Sequence, residues 1–330
     1  MPELRWSPPS RADDADWCSL LAAIEAVDGR GETYEVADLD DEWASVWARP
    51  DTDATFGWEG TELVAFAWLK AMPGQREAHR VSCWGGVRPS HRRSGIGAQV
   101  FGWMLERATA IGGRFDPALP VSIQVDATEH QGDVVALAQR FGFEPVRHFL
   151  EVARPVAVPV AELPPVAGLE LLPWSADRDE RTRLAHVEAF ADHWGSEPRT
   201  RDEWVQWYTG HRSFRPDLSV LAIDPASGEV ASLVLCAAYP QDWDVAPVEA
   251  WINTVGTRRA WRGKGVARWL LADVLRRIAA AEAGFERAIL GVDQENPTGA
   301  LRLYRDLGFT QDVRRVALLA RGPHACTDPS

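Results

Sequence analysis

Residues 255–267 read VGTRRAWRGKGVA and run from the end of a predicted strand into the start of a predicted helix. Gly263 and Gly265 let the backbone approach a ligand closely, and amide groups at a helix start point outward with the positive end of the helix dipole. The stretch therefore predicts a cradle for a pyrophosphate. Arg268 stands where a dinucleotide-binding turn needs a further glycine, and Gly265 stands where a Walker phosphate loop needs Ser or Thr, which argues against both motifs.

The chain repeats four signatures in the same order, roughly 160 to 170 residues apart. They are Trp6-Ser7 and Trp174-Ser175, the Asp-Glu-Trp triplets at 41–43 and 202–204, residues 92–97 and 262–267, and residues 141–143 and 307–309. Between the copies lies a proline-rich stretch, whose prolines favour an extended connector. We therefore predict an N-terminal domain over 1–155, a linker over 156–167 and a C-terminal domain over 168–330.

Apolar periodicity predicts a mixed α/β sheet in each half. In the second half the predicted helices are 179–192, 200–209, 266–282 and 298–307, and the strands are 218–223, 229–239, 248–255, 288–292 and 313–319. The first half repeats the order, with strands at 55–58, 63–69, 81–87, 121–125 and 147–153 and helices at 98–110 and 133–140.

Composition excludes several function classes. The chain has 330 residues and a formal net charge of -13, which argues against a nucleic-acid backbone as partner. No apolar run approaches the roughly 20 residues of a membrane-spanning helix, and the N-terminus has no apolar signal core. Four scattered cysteines form neither a disulfide framework nor a zinc pattern. We expect a cytoplasmic, metal-free protein that binds neither membranes nor nucleic acids.

The repeated turn resembles the signature of the GNAT superfamily of N-acetyltransferases, Arg/Gln-x-x-Gly-x-Gly/Ala after a strand. The chain has it as Arg262, Gly265 and Ala267 and again as Arg92, Gly95 and Gly97, and residues 292–309 are similar to the family's downstream strand-loop-helix. The resemblance implies an α/β fold of two tandem GNAT-type domains, each a mixed, splayed β-sheet flanked by helices. It also implies acetyl-CoA as co-substrate.

The resemblance further implies which residues bind the cofactor. Backbone groups of Val255 and Thr257 would hold the pantetheine arm, and Asn296 would contact that arm near the splay. The pyrophosphate would be held by Arg262, Gly263, Lys264, Gly265, Val266, Ala267 and Arg268. The corresponding residues of the first copy are Val87, Arg92, Arg93, Gly95 and Gly97.

By the same resemblance Tyr304 would protonate the departing thiolate, although a half-buried packing aromatic is the alternative. Alignment puts Ala138 at that position in the first copy, so we expect catalysis in the second domain and a degenerate first domain. Glu249 is the candidate base because strand alternation places it on the face of Val255 and Thr257. A solvent-exposed carboxylate at the strand end is the other interpretation of Glu249.

The segment after the first helix of the second copy resembles the acceptor region of actinobacterial tandem acetyltransferases. Asp192 would hold a cationic acceptor, His193 would relay a proton, Trp194 would form the pocket floor, and Trp251 occupies a further acceptor-binding position. A helix C-terminal cap at Gly195 with His193 at the helix end is the alternative.

These observations favour an N-acetyltransferase that transfers acetyl from acetyl-CoA to a primary amine of a small molecule. A protein amine acetyltransferase and a catalytically silent CoA-binding sensor or scaffold are the alternatives. Because two fused domains can replace a dimer of single domains, we expect a monomer.

Overall fold

The computed structural model describes residues 3–74, 77–296 and 299–321. The chain folds into two compact units, of which unit 1 comprises Met1–His148 with Arg315–Ser330 and unit 2 comprises Phe149–Arg314. None of the helices in these described ranges is both long and apolar enough to cross a membrane.

Unit 1 is a mixed sheet with helices on both faces. Its strands are β1 (Arg5–Ser7), β2 (Ala54–Glu59), β3 (Glu62–Met72), β4 (His79–Val87), β5 (Val121–Thr128) and the part of β12 (Thr310–Arg321) from Arg315 onward, in the order β1-β2-β3-β4-β5-β12. Its helices are α1 (Asp14–Asp28), α2 (Val36–Trp43), α3 (Pro50–Asp53), α4 (Ile96–Gly112) and α5 (Gly132–Arg140). The β4–β5 pair is parallel and its neighbours are antiparallel.

Unit 2 repeats this plan. Its strands are the part of β6 (Glu144–Pro155) from Phe149 onward, β7 (Glu170–Pro173), β8 (Val220–Asp224), β9 (Glu229–Ala237), β10 (Glu249–Thr257) and β11 (Arg287–Asp293), in the order β6-β11-β10-β9-β8-β7. Its helices are α6 (Asp179–Ala189), α7 (Arg201–Trp204, continued by a π-helical turn over Val205–Thr209), α8 (Val266–Ala280) and α9 (Ala300–Asp306). The β10–β11 pair is parallel.

The units differ from the predicted domains at their ends. The sequence placed the strand near 147–153 in the first domain and the strand near 313–319 in the second. In the structure Phe149–Pro155 pairs with β11 in unit 2, and Arg315–Arg321 pairs with β5 in unit 1. The 156–167 segment lies within unit 2, between β6 and β7. Each unit is thus completed by a strand from the other half of the sequence.

Arg154 anchors the C-terminal part of β6 in unit 2 through hydrogen bonds of its side chain. The side chain is buried, and its guanidinium donates to the carbonyl oxygens of Leu307 at 2.7 Å and Val158 at 2.7 Å. Leu307 ends α9, so the cation satisfies a helix C-terminal carbonyl and complements the negative end of the dipole.

The repeated Asp-Glu-Trp triplets have the same structural role in both units. The indole N–H of Trp43 donates to the buried Asp14 at 2.9 Å, and that of Trp204 donates to the buried Asp179 at 2.9 Å. Each bond joins the second helix of a unit to the first residue of its first helix. The tryptophans that the sequence presents as a repeat are therefore packing residues that tie two helices together.

In unit 2 this region contains a buried histidine. His186 on α6 stacks on Phe190 with ring centroids 4.4 Å apart and contacts Trp204 at 5.2 Å. Burial lowers the pKa of His186 from 6.5 to about 3, and the charges of Arg199 and His193 add to the effect. The imidazole is therefore neutral in the folded protein.

We predict that unit 2 loses stability as the pH falls below 6.5. There the unfolded chain binds a proton at His186 that the folded protein excludes until about pH 3. The free energy of unfolding should therefore fall by up to about 1.4 kcal/mol per pH unit from this group. Urea unfolding between pH 7 and pH 5 should show a flatter dependence in His186→Phe than in the wild type. An equally steep dependence in both proteins would contradict the assignment, and the exposed His130→Gln is the control.

Candidate active site

The parallel strand pair of each unit separates before its strands end. In unit 2, β10 and β11 pair from Glu249↔Arg287 to Trp251↔Ile289, and β10 then continues to Thr257. In unit 1, β4 and β5 pair from His79 to Ser82, and β4 continues to Val87. The predicted splay is therefore present in both units. Its wedge leaves backbone groups of the two strands facing a gap that a narrow, amide-bearing chain can enter.

A bulge in β10 adds to the irregularity of the wedge in unit 2. The register between β10 and β9 shifts between Ile252 and Thr254, so Asn253 is the extra residue. A bulge bends its strand and re-aims the side chains around it, and bulges are frequent next to active sites.

The glycine turn has the predicted cradle geometry. Gly263 and Gly265 have φ values of +74° and +78°, and Gly265 is the N-cap of α8. A Cβ placed on either glycine would meet nothing within 4 Å, so the turn faces open space. The outward amides at the start of a 15-residue helix therefore lie beside room for an anion.

Unit 1 has the same turn with one residue changed. Gly95 has φ +91° and is the N-cap of α4, while Arg93 has φ +60° at the position that Gly263 holds in unit 2. A left-handed conformation costs an ordinary residue roughly 1–2 kcal/mol. The backbone of the first cradle is thus preserved at a position where glycine has been lost.

The motif arginines hold these turns in place. The Arg262 guanidinium donates to the carbonyl oxygens of Thr257 at 3.1 Å and Ala189 at 2.8 Å, and it pairs with Asp192 at 3.2 Å. Arg92 likewise donates to the carbonyl oxygen of Val87 at 3.1 Å and to both oxygens of Asp28 at 2.6 and 3.0 Å. Each guanidinium therefore ties the turn to the end of the first helix, a positioning role that the sequence did not separate from direct cofactor contact.

A cavity of about 250 Å³ in unit 2 connects the cradle to the wedge. Its lining includes most of the predicted cofactor residues, namely Val255, Thr257, Arg262, Gly263, Gly265, Val266, Ala267 and Arg268. Lys264 is exposed, and neither Lys264 nor Asn296 is part of this lining. Asn296 borders residues 297–298, which lie outside the described range.

Tyr304 reaches the same cavity from α9. Its side chain is 6% exposed, it contacts Phe309 with ring centroids 6.0 Å apart, and burial raises the pKa of its hydroxyl. The hydroxyl therefore stays protonated at neutral pH. None of the residues that the structure describes forms a hydrogen bond with this hydroxyl, which leaves it available to a ligand in the cavity.

Glu249 lies at the paired end of the wedge and is not among the residues lining the described cavity. Its carboxylate accepts a hydrogen bond from Arg287, the residue opposite it on β11. Burial raises the pKa of Glu249 despite the nearby guanidinium. Val255 lies six positions further along β10, a distance of roughly 20 Å along a strand.

The predicted acceptor residues are dispersed. His193 lines the cavity beside Ala189. Asp192 pairs with Arg259 at 2.9 Å and with Arg262, and these arginines hold the pKa of its carboxyl below the usual range. Trp194 contacts Phe149 with ring centroids 6.1 Å apart, and Trp251 contacts Tyr239 at 6.3 Å. The structure thus brings His193, but not Asp192, Trp194 or Trp251, to the cavity that Tyr304 lines.

Unit 1 contains a cavity at the cofactor residues predicted for the first copy, but its extent along β4 was not predicted. Its volume is about 610 Å³, and Val87, Arg92, Arg93 and Gly97 line its cradle end. It continues between α1 and β4, past Gly85 and Gly86. The glycines at 85 and 86 are not a sequence signal for this space, because a Cβ on Gly85 would lie 2.2 Å from Met104 and a Cβ on Gly86 would lie 2.6 Å from Ile24.

Comparison with known proteins agrees with this geometry. Residues 180–309 match the model of the Acetyltransferase (GNAT) family. The chain is 27% identical to a mycothiol acetyltransferase of Frankia casuarinae, an alignment that covers 96% of this chain and 97% of the relative. It is also 27% identical to a mycothiol acetyltransferase of a Parafrankia species, over 93% and 94% of the two chains.

Solved structures share the fold over nearly the whole chain. A GCN5-related N-acetyltransferase from Sphaerobacter thermophilus superposes with a TM-score of 0.73 at 24% identity, covering 96% of this chain and 95% of the other. A tandem GNAT protein from the clavulanic acid biosynthesis pathway gives 0.71 at 16% identity, over 97% and 99%. With the duplicated cradle and splayed sheet, these likenesses show that the chain has the fold of two tandem GNAT-type units, and its second half is similar to the GNAT acetyltransferases.

Proposed function

We propose that unit 2 transfers an acetyl group from acetyl-CoA to a primary amine of a small molecule, by direct attack in a ternary complex. The observation that carries this proposal is the single cavity that joins the cradle at Gly263 and Gly265 to the Tyr304 hydroxyl. The cradle fits a pyrophosphate and the wedge fits a pantetheine arm. The relatives named mycothiol acetyltransferase support a small molecule as acceptor.

In this reaction the residues of unit 2 would have distinct roles. The amides at the start of α8 bind the pyrophosphate, and Arg262 keeps their turn in position. The amine nitrogen bonds to the acetyl carbonyl carbon while the carbon–sulfur bond breaks. Tyr304 gives its proton to the departing thiolate, and a base takes the proton that the amine loses.

Two groups are candidates for that base. Glu249 is buried with a raised pKa, which moves it toward the working pH of a general base, but Arg287 binds its carboxylate and the strand separates it from the cradle. His193 lines the cavity itself. Because a base must lie within hydrogen-bond reach of the proton or one water away, the geometry favours His193.

The first prediction concerns the cradles. Gly265→Glu places a side chain and a carboxylate in the cradle of unit 2, at a φ that strains any residue but glycine. Calorimetry should show that acetyl-CoA binding to unit 2 is lost, whereas Gly95→Glu removes a separate site in unit 1. Gly284→Glu and Gly60→Glu are matched controls because both glycines have positive φ and lie outside the cavities. Retained binding in a Gly265→Glu, Gly95→Glu double variant would contradict both cradles.

The second prediction concerns Tyr304. Tyr304→Phe should lower kcat by about 10² to 10⁴ in an assay of CoA thiol release, because the thiolate loses its proton donor. The calorimetric affinity for acetyl-CoA should stay unchanged, since the ring and its contact with Phe309 remain. If no added amine stimulates thiol release in the wild type, the silent sensor becomes the better interpretation. An unchanged kcat in the variant would remove Tyr304 from the mechanism.

The third prediction separates the two bases. His193→Gln should lower kcat/KM and abolish the acidic limb of its pH profile, because the imidazole must be deprotonated to accept the proton of the amine. Glu249→Gln should keep that limb. The opposite pattern would assign the proton to Glu249, acting through water, and leave His193 as a wall of the cavity.

A further inference from the structure

The cavity of unit 1 extends deeper than a cofactor cradle requires. It runs from Arg93 and Gly97 into the wedge and reaches Cys83 and Trp84, directly after the last residue of β4 that pairs with β5. In unit 2 the lining on β10 stops at Val255. The volumes of about 610 and 250 Å³ reflect this difference.

Two positions that line the cavity of unit 2 carry smaller residues in unit 1. Gly85 occupies the position of Val255, and Ala138 occupies that of Tyr304. The second equivalence is visible in the helix ends, where Phe143 N–H donates to the Ala138 carbonyl at 3.1 Å and Phe309 N–H donates to the Tyr304 carbonyl at 3.0 Å. Gly85 lines the deeper cavity, with the Met104 methyl 2.2 Å from where its Cβ would lie, whereas Ala138 is not part of the lining.

The deep end has apolar and aromatic walls. We call it the acyl chamber and define it by Leu21 and Ile24 of α1, Phe66 of β3 and Trp84 of β4, all of which line the cavity. Ile24 lies directly against the strand, since a Cβ on Gly86 would come within 2.6 Å of its Cδ1 atom.

The carboxylates around the chamber are engaged by the protein. Glu25 accepts from the amides of Arg30 at 3.0 Å and Gly31 at 2.7 Å. Asp28 is bound by Arg92, Glu32 pairs with Arg315 at 3.0 Å, and Asp126 accepts from Gln124 at 2.9 Å. A cationic amine would compete with these partners, whereas an apolar group would meet the remaining walls without such competition.

We propose that unit 1 binds a CoA thioester whose acyl group is larger than acetyl and apolar, with the acyl group in the acyl chamber. This proposal rests on the proposed function, since it assumes that both cradles accept CoA. The thioester stays intact there because Ala138 has no hydroxyl to protonate a departing thiolate. Unit 1 is then a site for retaining an acyl-CoA, separate from the unit 2 site that consumes acetyl-CoA.

Calorimetry on the full-length Gly265→Glu variant isolates unit 1. Hexanoyl-CoA adds four methylenes to acetyl-CoA, and each methylene that leaves water is worth about 0.8 kcal/mol, or about fourfold in affinity. We expect hexanoyl-CoA to bind this variant at least tenfold tighter than acetyl-CoA. In a Gly95→Glu variant, only unit 2 can bind CoA. Hexanoyl-CoA should bind this variant no more tightly than acetyl-CoA.

A second variant tests the location of the acyl group. Adding Ile24→Trp to Gly265→Glu fills the acyl chamber and should bring the affinity for hexanoyl-CoA down to that for acetyl-CoA, which should itself be retained. Retained acetyl-CoA binding shows that the cavity is still folded. Val36→Trp is the control because Val36 is 49% exposed and lies outside the cavity.

Each other result has a distinct meaning. Equal affinities of Gly265→Glu for the two thioesters, or equal weakening of both by Ile24→Trp, would overturn the acyl chamber. If the wild type binds acetyl-CoA but Gly265→Glu binds neither thioester, unit 1 is not a CoA site and the proposed function stands. If the wild type binds no thioester at all, the proposed function fails and the inference fails with it.

Discussion

In each unit, the early separation of two parallel strands determines where a ligand can bind. A parallel pair normally continues its hydrogen bonds to the strand ends, yet β4–β5 and β10–β11 stop at Ser82 and Trp251. The continuing backbone then lines a gap, and a helix begins immediately beyond it at a glycine of positive φ. Wedge and helix start are adjacent because a short turn follows the strand. Main-chain atoms can therefore bind an anion and a thin amide-bearing arm, and few side chains need to contact the ligand.

Main-chain recognition also explains why two diverged halves keep the same site. The cradle of unit 1 tolerates Arg93 in the place of Gly263 because the turn is held by contacts outside itself. In each unit an arginine bridges the strand end and an acid at the end of the first helix, Asp28 or Asp192. A side chain that lines the cavity of unit 2, by contrast, has diverged, since Ala138 stands in unit 1 where unit 2 has Tyr304.

Sequence reasoning predicted the elements well where periodicity and turn chemistry determine them. The helix predicted over 266–282 is Val266–Ala280, and the strand over 121–125 is Val121–Thr128. The resemblance to the GNAT family and the tandem fold were confirmed by the comparisons. The strand partners were not foreseen, because a pattern at 313–319 indicates a strand but not which sheet it joins. Pairings such as Asp192 with Arg259, and the different cavity volumes, depend on side-chain directions that spacing does not specify.

Because each unit contains a strand from the other half of the sequence, the two halves depend on each other during synthesis and in evolution. Unit 1 needs Arg315–Arg321, so its sheet stays incomplete until the whole of unit 2 has been synthesised. Until then the edge of β5 that pairs with these residues is open. In evolution, the same arrangement makes the duplication hard to reverse. A deletion that discards one half also removes a strand from the sheet of the other.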